Sequence, residues 1–493
     1  MKEVSRRKVL RHAARGALAA SSLGLLKSIR AGQNKEDDRG PLNVVIFHID
    51  DLGWKDVSCY GSRYYETPHI DRLASEGMRF TNGYAACAVC SPTRAALMTG
   101  QYPARIGITD FIPVLSQKRI EYSRRGVQPT EYVGGPNHEL LCPPNHFWLE
   151  RERVTIPEAL KPTGHVSCHV GKWHLGAEPW YPKKQGFDYN YGGCDLGQPP
   201  TYFDPYHRNK RFPNIPTLEP RKKGEYLTNR EADEGVNFLR KHQDKPFFLH
   251  MAHYAVHTPL GAKKELIDKY RNKPQYGQKN AVYAAMLESV DNAVGRILET
   301  LDELGLANNT LVIFTGDNGG LSGVTNNDPL RHGKGWPYEG GIRVPLIIRY
   351  PRVTRPGTIS DEPVTSVDYL PTILDAVGIP APSERPIDGV SLVEHLKSGG
   401  RKPLDRQAIF WHFPHYRGRN IGPYSIIRAG KWKLLKWWEG PDFELYNLEE
   451  DIAEENDLSA QKPERVRRLR EQLDHWLDSV GAKLPRKNPN YQG

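Results

Sequence analysis

One stretch of eleven residues, 90–100, combines a cysteine with the signals of a short helix. Cys90 or Ser91 can form the N-cap, Pro92 falls where its missing N–H costs nothing, and Gly100 can end the helix. The first turn of a helix presents free backbone N–H groups and a partial positive charge, which favour an anion. The stretch therefore predicts an anion site with a thiol at its mouth.

Arg94 adds a positive charge to this site, because it lies one turn after Cys90 on the same helix face. Two other interpretations fit the same residues. A small helix with a packed cysteine would show these signals, and Cys87 with Cys90 has the spacing of a redox or zinc pair. The second is weak because no further metal-type pair of cysteines occurs in the chain.

Oxygen donors follow two predicted strands. Asp50 and Asp51 come after the apolar run 43–49, and Asp317 and Asn318 come after a later apolar run. Three carboxylates brought together would repel one another unless a cation lay among them, and oxygen ligands suit calcium or magnesium better than zinc. These residues predict a metal site, although ordinary loop turns use the same residue types.

A lysine and a histidine follow another predicted strand. Lys172 and His174 are two residues apart, so in extended backbone their side chains point the same way. Gly171 and Gly176 on either side allow this loop to approach a ligand closely. A solvated lysine and histidine pair is the alternative interpretation.

The strands that would position these groups are continuous apolar runs that alternate with amphipathic helices, the clearest of which spans 282–301. The runs cover 43–49, 166–170, 246–252 and 311–315. This alternation predicts an α/β fold with a mainly parallel sheet flanked by helices, in which the site lies at the carboxyl ends of the strands. Residues 111–150 and 196–228 are polar and proline-rich, and we expect them to be long loops over the site.

A second, smaller unit is predicted after a proline-, glycine- and charge-rich stretch at 380–407. A helix that starts at Pro463 carries one apolar stripe, and we expect it to pack on a small sheet. The strand candidates of that sheet are 408–413, 424–428, 432–436 and 443–447. Aromatic side chains in 410–416 and 432–438 could face sugar rings or belong to the core.

The formal charge of +10 belongs mostly to the N-terminus. Residues 1–31 hold eight Lys and Arg and one Glu, so the remaining body is nearly neutral, which argues against a nucleic acid partner. Residues 5–10 resemble a twin-arginine export signal, and the apolar stretch 16–26 is too short to span a bilayer. We expect export by the twin-arginine machinery to the periplasm or the medium, with anchoring if the segment is retained. A basic amphipathic helix is the alternative, and six cysteines could form disulfides in an exported chain.

The spacing Cys-x-Pro-x-Arg followed by Leu-x-Thr-Gly, within 90–100, resembles the signature of the type I sulfatases. Asp-Asp-Leu-Gly at 50–53, Gly-Asp-Asn-Gly at 316–319 and Gly-Lys-Trp-His-Leu-Gly at 171–176 are similar to further motifs of that family. The chain is therefore identified as resembling this family over most of its length.

The resemblance implies an alkaline-phosphatase-like α/β sandwich with a catalytic domain at 40–400. A C-terminal subdomain at 405–485 would hold a four-stranded antiparallel sheet and a helix. The resemblance also implies that Cys90 is oxidised after translation to formylglycine by a sulfatase-maturing enzyme. The hydrate of this aldehyde would be the nucleophile.

The implied metal is calcium, with magnesium as the less suitable cation. By resemblance, it would be bound by the modified side chain of Cys90 together with Asp50, Asp51, Asp317 and Asn318.

The resemblance also implies roles around the sulfate. Arg94, Lys172 and Lys334 would stabilise negative charge on the sulfate oxygens. His174 would take a proton from the hydrate, and His257, assisted by Lys334, would give one to the leaving oxygen.

Specificity for the leaving group is assigned to His415 and Arg417. A hydroxyl residue that some relatives place on the sulfate has no recognisable counterpart in 194–200. The other histidines near these motifs match no family position, and we expect them to be structural or peripheral; they are His250, His253 and His332.

These inferences predict a sulfuric ester hydrolase that acts on a sulfated carbohydrate. Two alternatives remain open. One is a phosphonate monoester or phosphodiester hydrolase of the same superfamily, and the other is an exported glycan-binding protein with an inactive site.

Overall fold

The export signal predicted at 1–31 lies outside the residues that the computed structural model describes, which are 41–114, 117–209, 214–380, 385–418 and 420–492. The strands, in chain order, are β1 (Asn43–Ile49), β2 (Met78–Phe80), β3 (Gly83–Tyr84), β4 (Leu140–Leu141), β5 (Val166–Gly171), β6 (Tyr189–Tyr191), β7 (Phe247–Ala252), β8 (Thr310–Gly316), β9 (Leu346–Arg349), β10 (Thr358–Ser360), β11 (Val364–Thr365), β12 (Ile409–Phe413), β13 (Tyr424–Ala429), β14 (Trp432–Trp437), β15 (Phe443–Asn447) and β16 (Arg486–Lys487). The α-helices are Pro68–Glu76, Cys90–Thr99, Pro103–Ile106, Gln117–Arg125, Ile156–Leu160, Leu227–Lys241, Lys264–Arg271, Ala281–Glu303, Glu339–Ile342, Tyr369–Val377, Val393–Lys397 and Pro463–Ser479.

The large sheet has the strand order β10-β2-β9-β8-β1-β7-β5-β6. Within the described residues, β9 is antiparallel to both of its neighbours and every other neighbouring pair is parallel. All seven residues of β1 are buried, as expected for a central strand covered by helices on both faces. The predicted mainly parallel sheet is confirmed.

The predicted helix at 282–301 is confirmed as Ala281–Glu303. It begins where the side chain of Asn280 accepts hydrogen bonds from the backbone N–H groups of Val282 and Tyr283. Its apolar stripe is buried in the same core as β1, β7 and β8. This helix therefore covers one face of the sheet.

The predicted C-terminal sheet is also confirmed, with β12, β13, β14 and β15 paired antiparallel in chain order. The helix Pro463–Ser479 packs on it through a stripe that includes Leu469, Leu473 and Trp476. Both sheets lie in one compact unit that runs from 42 to 493.

Lys433 of β14 ties the C-terminal sheet to the helix Glu339–Ile342 through buried charge. Its Nζ lies 3.0 Å from Glu339 Oε1 and 2.7 Å from Glu454 Oε1, and all three side chains are fully buried. Glu339 also accepts hydrogen bonds from the Tyr84 hydroxyl and from Arg343 Nε. The C-terminal sheet is thereby tied to the start of the helix Glu339–Ile342.

The stretch 111–150 is not simply a loop. It contains the helix Gln117–Arg125 and the short strand β4, which pairs with β16 near the C-terminus. That pairing joins segments far apart in the chain, so local sequence patterns cannot reveal it.

All six cysteines are free, so no disulfide forms. No helix among the described residues has the length and apolarity to cross a bilayer.

Candidate active site

The polar groups singled out from the sequence meet at one edge of the large sheet. Four neighbouring parallel strands, β8, β1, β7 and β5, end at this edge. The residues that follow them are Asp317 and Asn318, Asp50 and Asp51, His257, and Lys172 and His174. These predicted site residues therefore lie together at the carboxyl ends of the strands, where parallel sheets usually bind ligands.

The helix Cys90–Thr99 begins at Cys90, and every one of its residues is buried. The prediction of Cys90 or Ser91 as the N-cap was wrong, because Val89 occupies that position in extended backbone and no side chain caps the helix. Gly100 ends the helix in the left-handed conformation with a φ of 65°, as predicted. Cys90 thus sits on the first helical residue, at the positive end of the helix dipole.

His174 contacts the thiol, with its Nδ1 3.4 Å from Cys90 Sγ. Its Nε2 donates a hydrogen bond of 2.8 Å to the carbonyl of Ile112. Burial, followed by the charge of Lys172, lowers the pKa of His174 well below its usual value, so the ring is neutral at pH 7. Because Nε2 carries the hydrogen, Nδ1 offers a lone pair towards residue 90.

Arg94 and Lys172 form buried ion pairs with two carboxylates. Arg94 Nη2 lies 2.7 Å from Asp317 Oδ2, and its Nη1 donates to the Lys172 carbonyl at 2.7 Å. Lys172 Nζ lies 2.7 Å from Asp50 Oδ2. Arg94 therefore fixes Asp317 and the backbone of Lys172 beside the start of the helix Cys90–Thr99.

Asp51 is the centre of a second cluster. Its Oδ1 accepts from Lys334 Nζ at 2.5 Å and from Asn318 Nδ2 at 2.8 Å, and its Oδ2 lies 3.6 Å from His257 Nε2. Its backbone N–H donates to Asp317 Oδ1 at 3.1 Å. Lys334, which only the family resemblance singled out, reaches the same cluster as the strand-end residues.

The carboxylates differ in their protonation. Burial and the neighbouring Asp317 charge raise the pKa of Asp50 well above its usual value. Burial would also raise the pKa of Asp317, but Arg94 and Lys172 outweigh it and hold that pKa far below the usual range. The two acids show opposite responses to one crowded, buried set of charges.

The described site fits a cation. Three buried side-chain oxygens, Asp50 Oδ1, Asp51 Oδ2 and Asn318 Oδ1, have no hydrogen-bond donor. Ligand atoms of Asp50, Asp51 and His257 all lie within 4.8 Å of one another. Buried oxygens without donors are costly unless a cation satisfies them, and their type suits calcium or magnesium.

Two further residues position the site and were missed in the sequence. The carbonyl of Ile112 orients His174. The Tyr202 hydroxyl donates to the carbonyls of His257, at 2.8 Å, and Tyr254, at 2.7 Å. Neither residue has a sequence signal, because one acts through its backbone and the other lies in a stretch without periodicity.

The histidines without a family match bond to or stack on residues other than Cys90. His253 Nδ1 pairs with Glu231 Oε2 at 2.6 Å, and His250 Nδ1 contacts His169 Nδ1 at 3.0 Å. His332 is exposed and stacks on Trp336. Their described contacts are those of packing residues.

The two predicted specificity residues have different surroundings. His415 is buried, and its Nε2 bonds to Thr109 Oγ1 at 2.7 Å. Arg417 is half-buried and lies over the ring of Phe111, 5.7 Å from the ring centre. The assignment of both to leaving-group specificity stays a prediction.

Family models and curated proteins match this chain over most of its length. A model described as Sulfatase matches residues 42–379, and one described as N-sulphoglucosamine sulphohydrolase, C-terminal, matches 331–482. A protein named Sulfatase from Formosa agariphila is 32% identical over 92% of this chain and 92% of its own length. Human N-acetylgalactosamine-6-sulfatase is 34% identical and covers 81% of this chain and 73% of that protein.

Solved structures share the fold. The crystal structure of Ps i-CgsB in complex with k-i-k-neocarrahexaose aligns with a TM-score of 0.74 and 29% identity, covering 89% of this chain and 93% of that one. Phosphonate monoester hydrolase of Agrobacterium radiobacter aligns with a TM-score of 0.66 at 19% identity, covering 90% of this chain and 97% of that one, which is a likeness of fold alone.

Proposed function

This chain belongs to the sulfatase family and is a sulfatase with the alkaline-phosphatase-like fold, and from that premise we propose that it removes sulfate from a sulfated carbohydrate. The observation that carries the proposal is the meeting of Cys90, His174 and a cation-fitting oxygen cluster at one sheet edge. The carbohydrate class is supported by the similar proteins, one of which is named for N-acetylgalactosamine and another of which binds a carrageenan hexasaccharide.

We propose that Cys90 is converted to formylglycine by a sulfatase-maturing enzyme. The site suits such a group, because residue 90 is buried at a helix start and faces the lone pair of His174 Nδ1. In the unmodified chain, Cys90 Sγ stands where an oxygen of the aldehyde hydrate would lie. When present, the hydrate supplies a hydroxyl nucleophile for the sulfur atom of the ester.

His174 is the base of this proposal. It is neutral, its Nε2 hydrogen is held by Ile112, and its Nδ1 can accept a proton from a hydroxyl on residue 90. Proton transfer by a positioned side chain contributes about 10²–10⁴-fold to rate. In this proposal the reaction uses the contact between His174 Nδ1 and the side chain of residue 90 that the structure shows with the thiol.

We propose calcium as the metal, held by Asp50, Asp51, Asp317, Asn318 and the modified residue 90. The donorless oxygens described above support Asp50, Asp51 and Asn318 as ligands, and flexible oxygen ligation suits calcium better than magnesium. When bound, the ion supplies positive charge to the sulfate oxygens.

In this proposal His257, assisted by Lys334, gives a proton to the leaving oxygen. Burial opposes the charge of Lys334, but Asp51 and other acids outweigh it and raise its pKa, so the lysine keeps its proton. Burial lowers the pKa of His257 to about 3 in the site without substrate, against the pull of Asp51. A bound sulfate ester brings negative charge beside His257, which favours its protonated form, and His257 Nε2 then donates to the leaving oxygen.

We also propose that the enzyme acts after export, in the periplasm or outside the cell. The twin-arginine-like segment at 5–10 supports this proposal. The near-neutral charge of the chain after residue 31 fits a small anionic substrate that is bound at one site.

The proposal is tested by mass spectrometry of the peptide that contains residue 90, from protein produced together with a sulfatase-maturing enzyme. The same sample is assayed with sulfated mono- and oligosaccharides and with phosphonate and phosphodiester substrates. We expect an aldehyde at residue 90, turnover of a sulfated saccharide, and no turnover by Cys90→Ala. An unmodified thiol in fully active protein would contradict the mechanism, and a preference for phosphorus esters would contradict the function.

A further inference from the structure

Residues 109–112 form a strap, Thr109 to Ile112, that lies directly beside the reactive side chain. The Ile112 N–H donates to Ser91 Oγ at 3.1 Å, and the Ile112 carbonyl accepts from His174. Ser91 follows Cys90 in the chain, so both bonds end on neighbours of the reactive group. The residues just before Ile112 therefore stand at the mouth of the site.

The strap is held rigidly from behind. Asn145 Oδ1 accepts from the N–H groups of Thr109 and Asp110 at 2.9 and 3.1 Å, and Asn145 Nδ2 donates to the Asp110 carbonyl at 3.2 Å. His415 holds the Thr109 hydroxyl. The Phe111 ring is left 41% exposed, which is unusual for a large apolar side chain fixed this firmly.

Arg417 reaches this mouth from the connection between β12 and β13. Its side chain lies against Gly335, so closely that a Cβ at that position would be 2.4 Å from Arg417 Nε. Gly335 directly follows Lys334, and the other flank of Arg417 faces the Phe111 ring. The guanidinium therefore stands between a residue of the sulfate site and an exposed aromatic face.

Arg417 differs from the other cationic side chains near the site in its ion pairing. Arg94, Lys172 and Lys334 each pair with a carboxylate, whereas Arg417 has no ion pair among the described residues. Asp110 lies nearby, but its Oδ1 accepts from the Phe111 N–H. Burial raises the pKa of Asp110 to about 7 even though Arg417 opposes the shift, so the repulsion of an anion by Asp110 is weakened at neutral pH.

We propose that Phe111 and Arg417 form a saccharide subsite beside the sulfate site, in which Arg417 binds a second anionic group, a carboxylate or a sulfate, carried by the substrate. The inference rests on the proposed function and adds the class of substrate. The Phe111 ring packs on the apolar face of a sugar, and the guanidinium gives charge-assisted hydrogen bonds to the anion. His415 acts as a positioning residue for the strap.

The test uses three disaccharides that share the scissile sulfated sugar and differ in its neighbour, which is a neutral hexose, a hexuronate or a hexose sulfate. We expect the matured wild-type enzyme to prefer the charged substrates by about 10- to 100-fold in kcat/KM, the range for hydrogen bonds to charged groups. Arg417→Met should abolish the preference, and Arg417→Lys should keep part of it. The hexuronate and hexose sulfate arms tell which anion is bound.

Arg470→Met is the matched control, because Arg470 also lies 5.7 Å from an aromatic ring, that of Phe443, in the same part of the chain. It should keep the wild-type preference. Turnover of 4-nitrophenyl sulfate, which has no second anion, should fall far less in Arg417→Met than turnover of the two charged disaccharides. Equal rates on all three disaccharides in wild type, or an undiminished preference in Arg417→Met, overturn the subsite while leaving the sulfatase intact. Failure of wild type on every sulfate ester overturns the proposed function, and the subsite falls with it.

Discussion

The carbonyl of Ile112 accepts a hydrogen bond of 2.8 Å from His174 Nε2, and this bond decides the state of the other ring nitrogen. With the hydrogen on Nε2, the lone pair of Nδ1 lies towards Cys90 Sγ, 3.4 Å away. A backbone group in a loop without periodicity thus orients the histidine that we propose as the base.

Replacing His174 should therefore affect the chemical step. We expect His174→Ala to lower kcat by about 10²–10⁴-fold, the usual contribution of a positioned base, with little change in calcium content. Steady-state kinetics with metal analysis measures both quantities. His475→Ala, at an exposed position of the helix Pro463–Ser479, is the control and should match wild type. A His174→Ala enzyme with about a tenth or more of the wild-type kcat would rule out this role.

The oxygen cluster predicts a metal requirement that can be read without activity. Asn318→Ala removes one donorless buried oxygen and the hydrogen bond to Asp51. We expect calcium affinity, measured by titration calorimetry, to fall by about tenfold or more, since even groups behind the ligands are worth about 10–100-fold.

Asn326→Ala is the control for the metal site, because Asn326 is only half-buried and its side chain bonds to Gly277 and Asp328 rather than to the oxygen cluster. Chelation should lower the Tm of wild type, and calcium should restore it at lower concentration than magnesium. Equal calcium affinity in wild type and Asn318→Ala would remove Asn318 from the ligand set.

The buried charges around Lys433 predict a large loss of stability when one partner is removed. Lys433→Met leaves Glu339 and Glu454 buried without their cation, which typically costs about 3–5 kcal/mol in the free energy of unfolding. Denaturant unfolding measures the loss. The control is Lys431→Met, in the turn between β13 and β14. It removes only looser contacts to Glu449 and Glu450, at 3.6 and 3.9 Å, and should lower the free energy of unfolding by less than about 1 kcal/mol. Similar losses in both variants would mean that the buried cluster stabilises no more than surface pairs do.

The parts of the site that the sequence predicted lie on the helix that carries Cys90 and Arg94 or directly follow strands. The run 43–49 is apolar without interruption because β1 is covered on both faces, and Asp50 and Asp51 stand where it must end. The same logic placed Lys172 and Asp317 at the same edge. The parallel order of the strands then brings these residues together with no further information.

The rest depends on contacts between distant segments. Ile112 acts through a carbonyl, which any residue type has, and β4 is defined by its pairing with β16. The N-cap at Val89 was missed because the helix start is held by tertiary packing rather than by a capping side chain. Lys334 was found by resemblance alone, since it follows no strand.

A buried carboxyl outside these clusters predicts how stability depends on pH. Asp291 accepts backbone hydrogen bonds from His69 and Ile70, which joins the helices Ala281–Glu303 and Pro68–Glu76. Burial raises the pKa of Asp291 to about 7, against about 3.9 in an unfolded chain. The folded state therefore keeps a proton that the unfolded state loses, and this group makes stability fall as pH rises from about 4 to about 7.

Asp291→Asn has no titrating group at this position. The contribution of Asp291 to the pH dependence of stability therefore appears as a difference in Tm between wild type and this variant. We expect the Tm of wild type to exceed that of the variant by more at pH 5 than at pH 7.5, because only wild type loses the contribution over this range. Scanning calorimetry at the two pH values gives both gaps, and other titrating groups cancel between the proteins. Equal gaps at pH 5 and pH 7.5 would mean that Asp291 is already ionised in the folded protein at pH 5.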